Sequence, residues 1–225
     1  MRQYDKFVIF DTETTGLNYS RDEIIEFSAV VLEVQNGEAV VTREYDNLVS
    51  LTPGNSVPAN IQQLTGISTE DILERGIPKE QLCRDIAEMF AGNTLLLAYN
   101  AHFDLSFLFY LLMRNGDMSV LKGKDKLDLL TVYKDRRSYP HKLADAIGAY
   151  GLEGQVVNSH RAIDDVLATV AVMEAMAAEK DDFAQYLNLF GYNPKYGISG
   201  KPIGSVTYKA QSYNSSTPLY GKTVS

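Results

Sequence analysis

Phe7-Val8-Ile9-Phe10 is a continuous run of apolar, β-favouring side chains, the pattern of a strand buried on both faces, and it ends in Asp11. Ile24 to Val34 and Ala39 to Leu51 predict two further strands, joined through Asn36-Gly37, a strong two-residue hairpin signal. The first three strands therefore predict an antiparallel meander. A Pro/Gly/Asn loop, Thr52 to Asn60, precedes short helical pieces around Ile61 to Leu64 and Ser68 to Arg75, where Ser68 and Asp71 are spaced as a capping box. Pro78 suits the first turn of a helix whose Leu82, Ile86 and Phe90 recur at helical spacing.

The second half alternates. Thr94 to Tyr99 reads as a buried strand and Phe103 to Arg114 as a helix closed by Asn115-Gly116. Leu127 to Leu130 supplies another strand, and Leu143 to Tyr150 and Ala162 to Ala178 read as helices. In the last of these, Ile163, Val166, Leu167 and Val170 form the expected apolar stripe, which leaves Asp165 on another side with Thr169 and Val172. Strands followed by strand-helix alternation predict one α/β layered domain over residues 1–190, a mixed sheet of meander plus parallel strands flanked by helices. Residues 191–225 differ in composition: they hold no Asp or Glu, four lysines (Lys195, Lys201, Lys209, Lys222) and five tyrosines (Tyr192, Tyr196, Tyr208, Tyr213, Tyr220). This segment is expected to be an appendage outside the core. Its interleaved lysine and tyrosine suit single-strand binding or docking on a polymerase, against a plain extension packed on the domain.

Length and composition narrow the classes. A chain of 225 residues, 45% hydrophobic, buries a full core. Its most apolar run is far too short to cross a bilayer, so no membrane partner is expected and a cytoplasmic location is. Cys83 is the only cysteine, which excludes an internal disulfide and a Cys-rich zinc site. The net charge of −8 argues against a generic basic clamp on nucleic acid, yet clustered carboxylates recruit divalent cations that present positive charge to a phosphodiester.

The candidate chemistry lies at the ends of the buried runs. Asp11 and Glu13 stand two apart, so on a strand their side chains share one face about 6.5 to 7 Å apart along the chain. Thr14-Thr15-Gly16-Leu17 follows, with hydroxyls, a turn glycine and an apolar side chain on which a nucleotide could rest. Asn100-Ala101-His102-Phe103-Asp104 follows the second buried strand. Asp104 caps the next helix or, if the two strands are parallel neighbours, joins Asp11 and Glu13 at the sheet edge where open α/β sheets bind ligands. His160-Arg161-Ala162-Ile163-Asp164-Asp165 opens the last helix, and periodicity does not choose between the two aspartates.

Together, Phe10-Asp11-Thr12-Glu13-Thr14-Thr15-Gly16-Leu17, Asn100-Ala101-His102-Phe103-Asp104 and His160 followed five residues on by Asp165 resemble the three exonuclease motifs of the DEDD superfamily, His-containing branch. The resemblance covers roughly residues 5 to 180 and extends to the epsilon proofreading subunit of bacterial DNA polymerase III and the exonuclease domain of the Gram-positive replicative polymerase. It implies a ribonuclease H-like fold and 3′–5′ hydrolysis releasing nucleoside 5′-monophosphates. Asp11, Glu13, Asp104 and Asp165 would bind metal, with Asp165 selected over Asp164, and His160 would take the proton. Thr14, Thr15, Gly16 and Leu17, the Thr65-Gly66-Ile67 loop, Asn100 and Phe103 would line the substrate. Two divalent cations, Mg²⁺ or Mn²⁺, suit an oxygen-only ligand set and phosphodiester chemistry. Single-stranded DNA with a free 3′ end is the expected substrate, with RNA as the rival and a silent nucleic-acid-binding or polymerase-adaptor module as the alternative of another class. Tyr99 departs from the family pattern, which often has histidine there, and is expected to alter only the rim of the site.

Other titratable residues read as structural. His141 follows Pro140 and suits a capping or surface role. His102 occupies a variable motif position, and Asp128 is expected to cap the helix after it. Glu26, Glu174 and the cluster Glu179, Lys180, Asp181 and Asp182 read as solvated faces.

Overall fold

A computed structural model of the chain describes residues 3–157, 159–198, 203–212 and 216–222, so Lys201 and Tyr213 of the extension lie outside the described residues. The sheet is built from β1 (Lys6–Thr14), β2 (Ile24–Gln35), β3 (Glu38–Leu48), β4 (Thr94–Ala98) and β5 (Asp125–Asp128). Its order is β3-β2-β1-β4-β5, with the first two pairings antiparallel and the last two parallel. The hairpin turns through Asn36 (φ 54°) and Gly37 (φ 87°), the two left-handed residues that such a turn requires. β3 stops at Leu48, short of the expected Leu51, because Val49 forms an isolated bridge to Ile77.

Alternation along β1 separates two cores. Phe7 and Ile9 face one side with α5 (Leu129–Arg136), α6 (Leu143–Ala149) and α7 (Ala162–Glu179). Val8 and Phe10 face the other with α3 (Lys79–Phe90) and α4 (Ala101–Asn115). Two short helices, α1 (Ala59–Thr65) and α2 (Thr69–Arg75), cross the end of the meander, and Ser68 and Asp71 form the predicted capping box at the start of α2.

Several boundaries move for identifiable reasons. Pro78 stands at the N-cap of α3, one residue before its first turn. α4 begins at Ala101 instead of Phe103, because Asn100 adopts a left-handed conformation (φ 69°) and Asp128 Oδ1 accepts the backbone N–H groups of Asn100 and Ala101, both at 3.0 Å. The strand expected over Leu127 to Leu130 is β5, which ends at Asp128; Leu129 and Leu130 already belong to α5.

The extension is not outside the core. Strand β6 (Leu189–Tyr192) pairs in parallel with β7 (Thr207–Ala210), and Leu219 is fully buried in the cluster beneath α5 and α7. The buried Gln211 side chain donates to Thr131 O (2.9 Å) and Asp135 Oδ1 (2.7 Å), and Asp135 also accepts the Leu219 N–H. The expectation of an appendage separate from the core is therefore corrected: low apolar content hid a few anchors pinned to α5. No helix among the described residues is long and apolar enough to cross a membrane.

Candidate active site

β4 ends at Ala98 whereas β1, its parallel neighbour, runs on to Thr14, so the last residues of β1 project past the end of β4. Asp104, in the first turn of α4, fills the gap: its Oδ1 accepts from Thr12 N at 3.0 Å and Thr12 Oγ1 at 2.8 Å. Asp104 is therefore not the helix cap; it satisfies a strand N–H left without a neighbouring strand. Thr12 points to the α4 side, and Asp11 and Glu13 point to the other, where α7 packs on β1.

α7 presents Asp165 to them. Oxygens of Asp11, Glu13 and Asp165 lie within 4.8 Å of one another. The buried residues of this helix are Ala162, Val166, Ala168, Thr169, Val172, Met173 and Met176, whereas Leu167 is 41% exposed and Ile163 and Val170 are half-buried. The predicted stripe is corrected accordingly. Small and apolar residues surround nearly the whole helix, so periodicity alone chose the wrong side, and Asp165 lies with the buried set. Asp164 instead accepts a hydrogen bond from Ser159 Oγ.

Electrostatics mark the cluster as short of positive charge. Burial, and then the neighbouring Asp165, Glu26 and Asp104 carboxylates, push Glu13 up to about 8. Asp11 is held well above the usual carboxylate range by burial and then by Asp104, Glu13 and Asp165. Burial raises Asp104 to about 7 despite the opposing hydrogen bonds from Thr12. An all-oxygen set of this kind, crowded and held above the ordinary carboxylate range, fits a divalent cation.

Glu26, expected on a solvated face, is fully buried and lies directly across from Glu13 in the β1–β2 ladder. Its carboxylate accepts Arg161 Nε (2.9 and 3.2 Å), Arg161 Nη2 (2.5 Å) and Ala162 N (2.8 Å), which fixes the N-terminus of α7 against the sheet. This positioning pair was missed. The one available signal was a glutamate inside the otherwise apolar Ile24-Ile25-Glu26-Phe27 run. Asp128 caps α5 as expected, accepting Thr131 N (3.2 Å) and Oγ1 (2.6 Å), and with its other oxygen also starts α4.

The remaining predicted positions fall as follows. His160 is exposed, with a left-handed backbone (φ 59°), just before α7, and is not among the three residues whose ligand atoms converge. Thr14 is buried and its hydroxyl donates to Gly16 O at 2.6 Å, while Thr15 Oγ1 accepts Glu23 N at 2.9 Å. A Cβ on Gly16 would meet Asp22 Oδ2 at 2.5 Å and displace the carboxylate that accepts Asn18 N, so glycine here lets the Asp22 side chain approach closely. Leu17 is 84% exposed. In the Thr65-Gly66-Ile67 loop, Thr65 and Ile67 are buried and the exposed groups are Gly66 and the preceding Leu64, which the sequence marked only as the end of a helical piece. Asn100 is exposed and Phe103 half-buried against Phe107. Tyr99 is partly buried against the core and donates to His141 O at 2.8 Å.

Two more structural readings are corrected. His141 is neither a surface residue nor a cap: it is buried, packed edge-on against Tyr133, with Nε2 2.9 Å from Arg137 O. Asp182 is not solvated, since its side chain is 9% exposed and pairs with Arg136 at 2.6 Å, and Glu179 pairs with Arg136 and Arg137. A cavity of about 450 Å³, lined by Phe109 and Met118 among others, contains none of the four carboxylates. It is not the site of the chemistry.

Comparison with known proteins agrees with this geometry. The sequence model of the exonuclease family RNase_T matches residues 8–173. The chain is 34% identical to the PolC-type DNA polymerase III of Bacillus subtilis over 183 residues, covering 78% of this chain and 12% of that protein. It is 38% identical to the 3′-5′ exonuclease DinG of the same organism over 112 residues, covering 49% of this chain and 11% of that one. Among solved structures it is similar to E. coli exonuclease I in complex with a dT13 oligonucleotide, with TM-score 0.70 and 20% identity over 81% of this chain and 43% of that one. A zinc-bound exonuclease I complex with single-stranded DNA is similar at TM-score 0.71, again at 20% identity, over 81% of this chain and 42% of that one. At that identity the likeness is one of fold, the ribonuclease H-like mixed sheet flanked by helices. The chain spans about a tenth of the length of the curated relatives it matches. With its family match spanning most of the chain and its three motifs converging on one sheet edge, the chain belongs to the RNase_T exonuclease family, of the DEDD type.

Proposed function

We propose that the chain is a divalent-cation-dependent 3′–5′ exonuclease that releases nucleoside 5′-monophosphates from DNA ends, in proofreading or repair. The observation that carries this reading is the convergence of Asp11, Glu13 and Asp165 oxygens within 4.8 Å, with Asp104 held beside them by Thr12. Those carboxylates would hold the ions, and the oxygen-only set favours Mg²⁺ or Mn²⁺. Bound there, the ions would stabilise the charge that develops on the phosphodiester. Thr12 occupies Oδ1 of Asp104, and Oδ2 would supply the fourth ligand group.

His160 serves as the general base for the attacking water. It precedes the backbone N–H that Glu26 pins, so the same anchor that presents Asp165 also sets where His160 can reach. Leu17, Gly66 and Leu64 offer exposed apolar and backbone surface for the terminal nucleotide, with Thr14, Thr15, Gly16, Thr65 and Ile67 shaping that surface from beneath and Asn100 and Phe103 beside Asp104. The DNA preference and the 3′–5′ direction draw support from relatives described as a 3′-5′ exonuclease and as DNA polymerases, and from a related fold holding dT13. Association with a polymerase chain belongs to the same reading.

The test follows a 5′-labelled DNA oligomer and its RNA counterpart with Mg²⁺, beside an EDTA control and Asp11→Ala. A ladder that shortens progressively on DNA, and vanishes with EDTA and with the variant, is expected. Faster RNA trimming would replace the substrate, and intact oligomers of both kinds would overturn the reading in favour of a silent binding module.

A further inference from the structure

Beyond the carboxylates, a cavity of about 220 Å³ lies where the extension meets the starts of α4 and α5. Asn100 and His102 line it from the motif side, Lys134 from α5, and Tyr192, Tyr196 and Tyr208 from the extension. Asn100 follows β4 and Asp128 ends β5, both parallel to β1, so the cavity stands at the same carboxyl-terminal edge of the sheet that carries Asp11 and Glu13.

Its chemistry is that of a surface for bases and phosphates. Tyr196 is 72% exposed and carries Lys195 Nζ 5.1 Å over its ring. Lys134 lines the cavity and Lys195 lies over the ring of Tyr196, and residues 191–225 contain no Asp or Glu in a chain of net charge −8. The one carboxylate in the cavity, Asp128, is occupied by backbone and hydroxyl donors on both oxygens. The wall is fixed in place: Tyr208 packs edge-on against His102 (5.5 Å) and Phe190 (5.7 Å), and its hydroxyl accepts Ile203 N at 2.9 Å. Gly191 N donates to Thr131 Oγ1 at 3.0 Å, which ties β6 to α5.

We propose that this cavity is a further nucleotide subsite, in which Tyr196 stacks on a base upstream of the terminal two nucleotides and Lys134 and Lys195 meet the adjoining phosphates. The proposal rests on the exonuclease reading, since it takes the strand that the carboxylates cut. It predicts that affinity grows with strand length and that this growth depends on the extension.

The experiment compares KM for a thymidine dinucleotide and a thymidine 10-mer in the full chain, in Tyr196→Ala, Tyr196→Phe and Lys134→Gln. In the wild type the 10-mer should bind more tightly. In Tyr196→Ala the ratio of the two KM values should shift by about tenfold against the 10-mer, the scale of one lost base–aromatic stack, and Tyr196→Phe should restore it. Lys134→Gln should shift the same ratio and flatten its salt dependence. Because Tyr196 is exposed, its loss leaves the fold intact. A ratio unchanged in Tyr196→Ala, with hydrolysis retained, overturns the subsite, including the case in which the extension serves a protein partner. Absence of hydrolysis on both strands in the wild type fails the exonuclease reading instead, and binding of a fluorescent 10-mer to Asp11→Ala, with and without the Tyr196 change, then decides the subsite on its own.

Discussion

Glu26 is a fully buried carboxylate whose counter-charge, Arg161, keeps 40% of its side chain exposed. The two halves of this pair are therefore unequal. Arg161→Ala leaves a buried charge without its partner and should cost about 3–5 kcal/mol in urea unfolding. Glu26→Gln should cost about 1–2 kcal/mol, because the carboxamide still accepts the Ala162 N–H and Arg161 turns to water. Equal costs would show that the pair does not hold the start of α7 in this way. Little of this was legible in the sequence, where Glu26 and Arg161 are separated by 135 positions and the one signal was a glutamate inside an apolar strand run. Asp11, Glu13 and Asp104 were legible, because each stands at or just past the end of a buried apolar run. The choice of Asp165 over Asp164 came from the family pattern, and its physical reason is the burial of that side of α7.

At the scale of the elements, the ends of strands and helices do most to build the site. Asp128 closes β5, caps α5 and starts α4, so a single carboxylate sets the position from which Asp104 reaches Thr12. Asp128→Ala should cost about 2–4 kcal/mol, as expected for several buried donors left unsatisfied, and Asp128→Asn less than half of that, because one oxygen acceptor remains. Thermal or urea unfolding of the two variants measures the difference, and identical losses would remove the shared-cap explanation. Whereas the pairing of β4 with β1 is non-local and stood in the sequence only as a condition, the antiparallel meander followed from turn chemistry and from apolar runs, which are local signals. The buried face of α7 did not, since Ala, Val and Met occur around the helix and only packing against β1 and β2 selects a side.

Across the whole molecule, the crowded carboxylates make stability depend on pH in a definite direction. Glu13 is raised to about 8 from an ordinary value of 4.5, so between those limits the folded state holds a proton that the unfolded chain has released. Stability from this group is present below about pH 4.5 and is lost as pH rises through 8; Asp104, raised to about 7, acts in the same sense. Without divalent cations the melting temperature should carry this loss between pH 5 and 8. Mg²⁺ or Mn²⁺ should restore it, with a gain that grows with pH because cation binding must displace those protons. A gain equal at pH 5 and pH 8 would contradict the assignment. The extension was the part of the molecule least open to sequence reasoning: its few anchors, Gln211 and Leu219, are scattered among Gly, Ser and Pro and show no period.

The most direct test of the central claim, that the Asp11, Glu13 and Asp165 cluster cuts a strand from its 3′ end, compares neighbours on α7. A 5′-labelled single-stranded DNA oligomer is incubated with Mg²⁺ and the wild type, Asp165→Ala or Asp164→Ala. Stepwise shortening by the wild type and by Asp164→Ala, together with an intact strand in a folded Asp165→Ala, is the predicted result; shortening that survives in Asp165→Ala, or is lost equally in both variants, would contradict it.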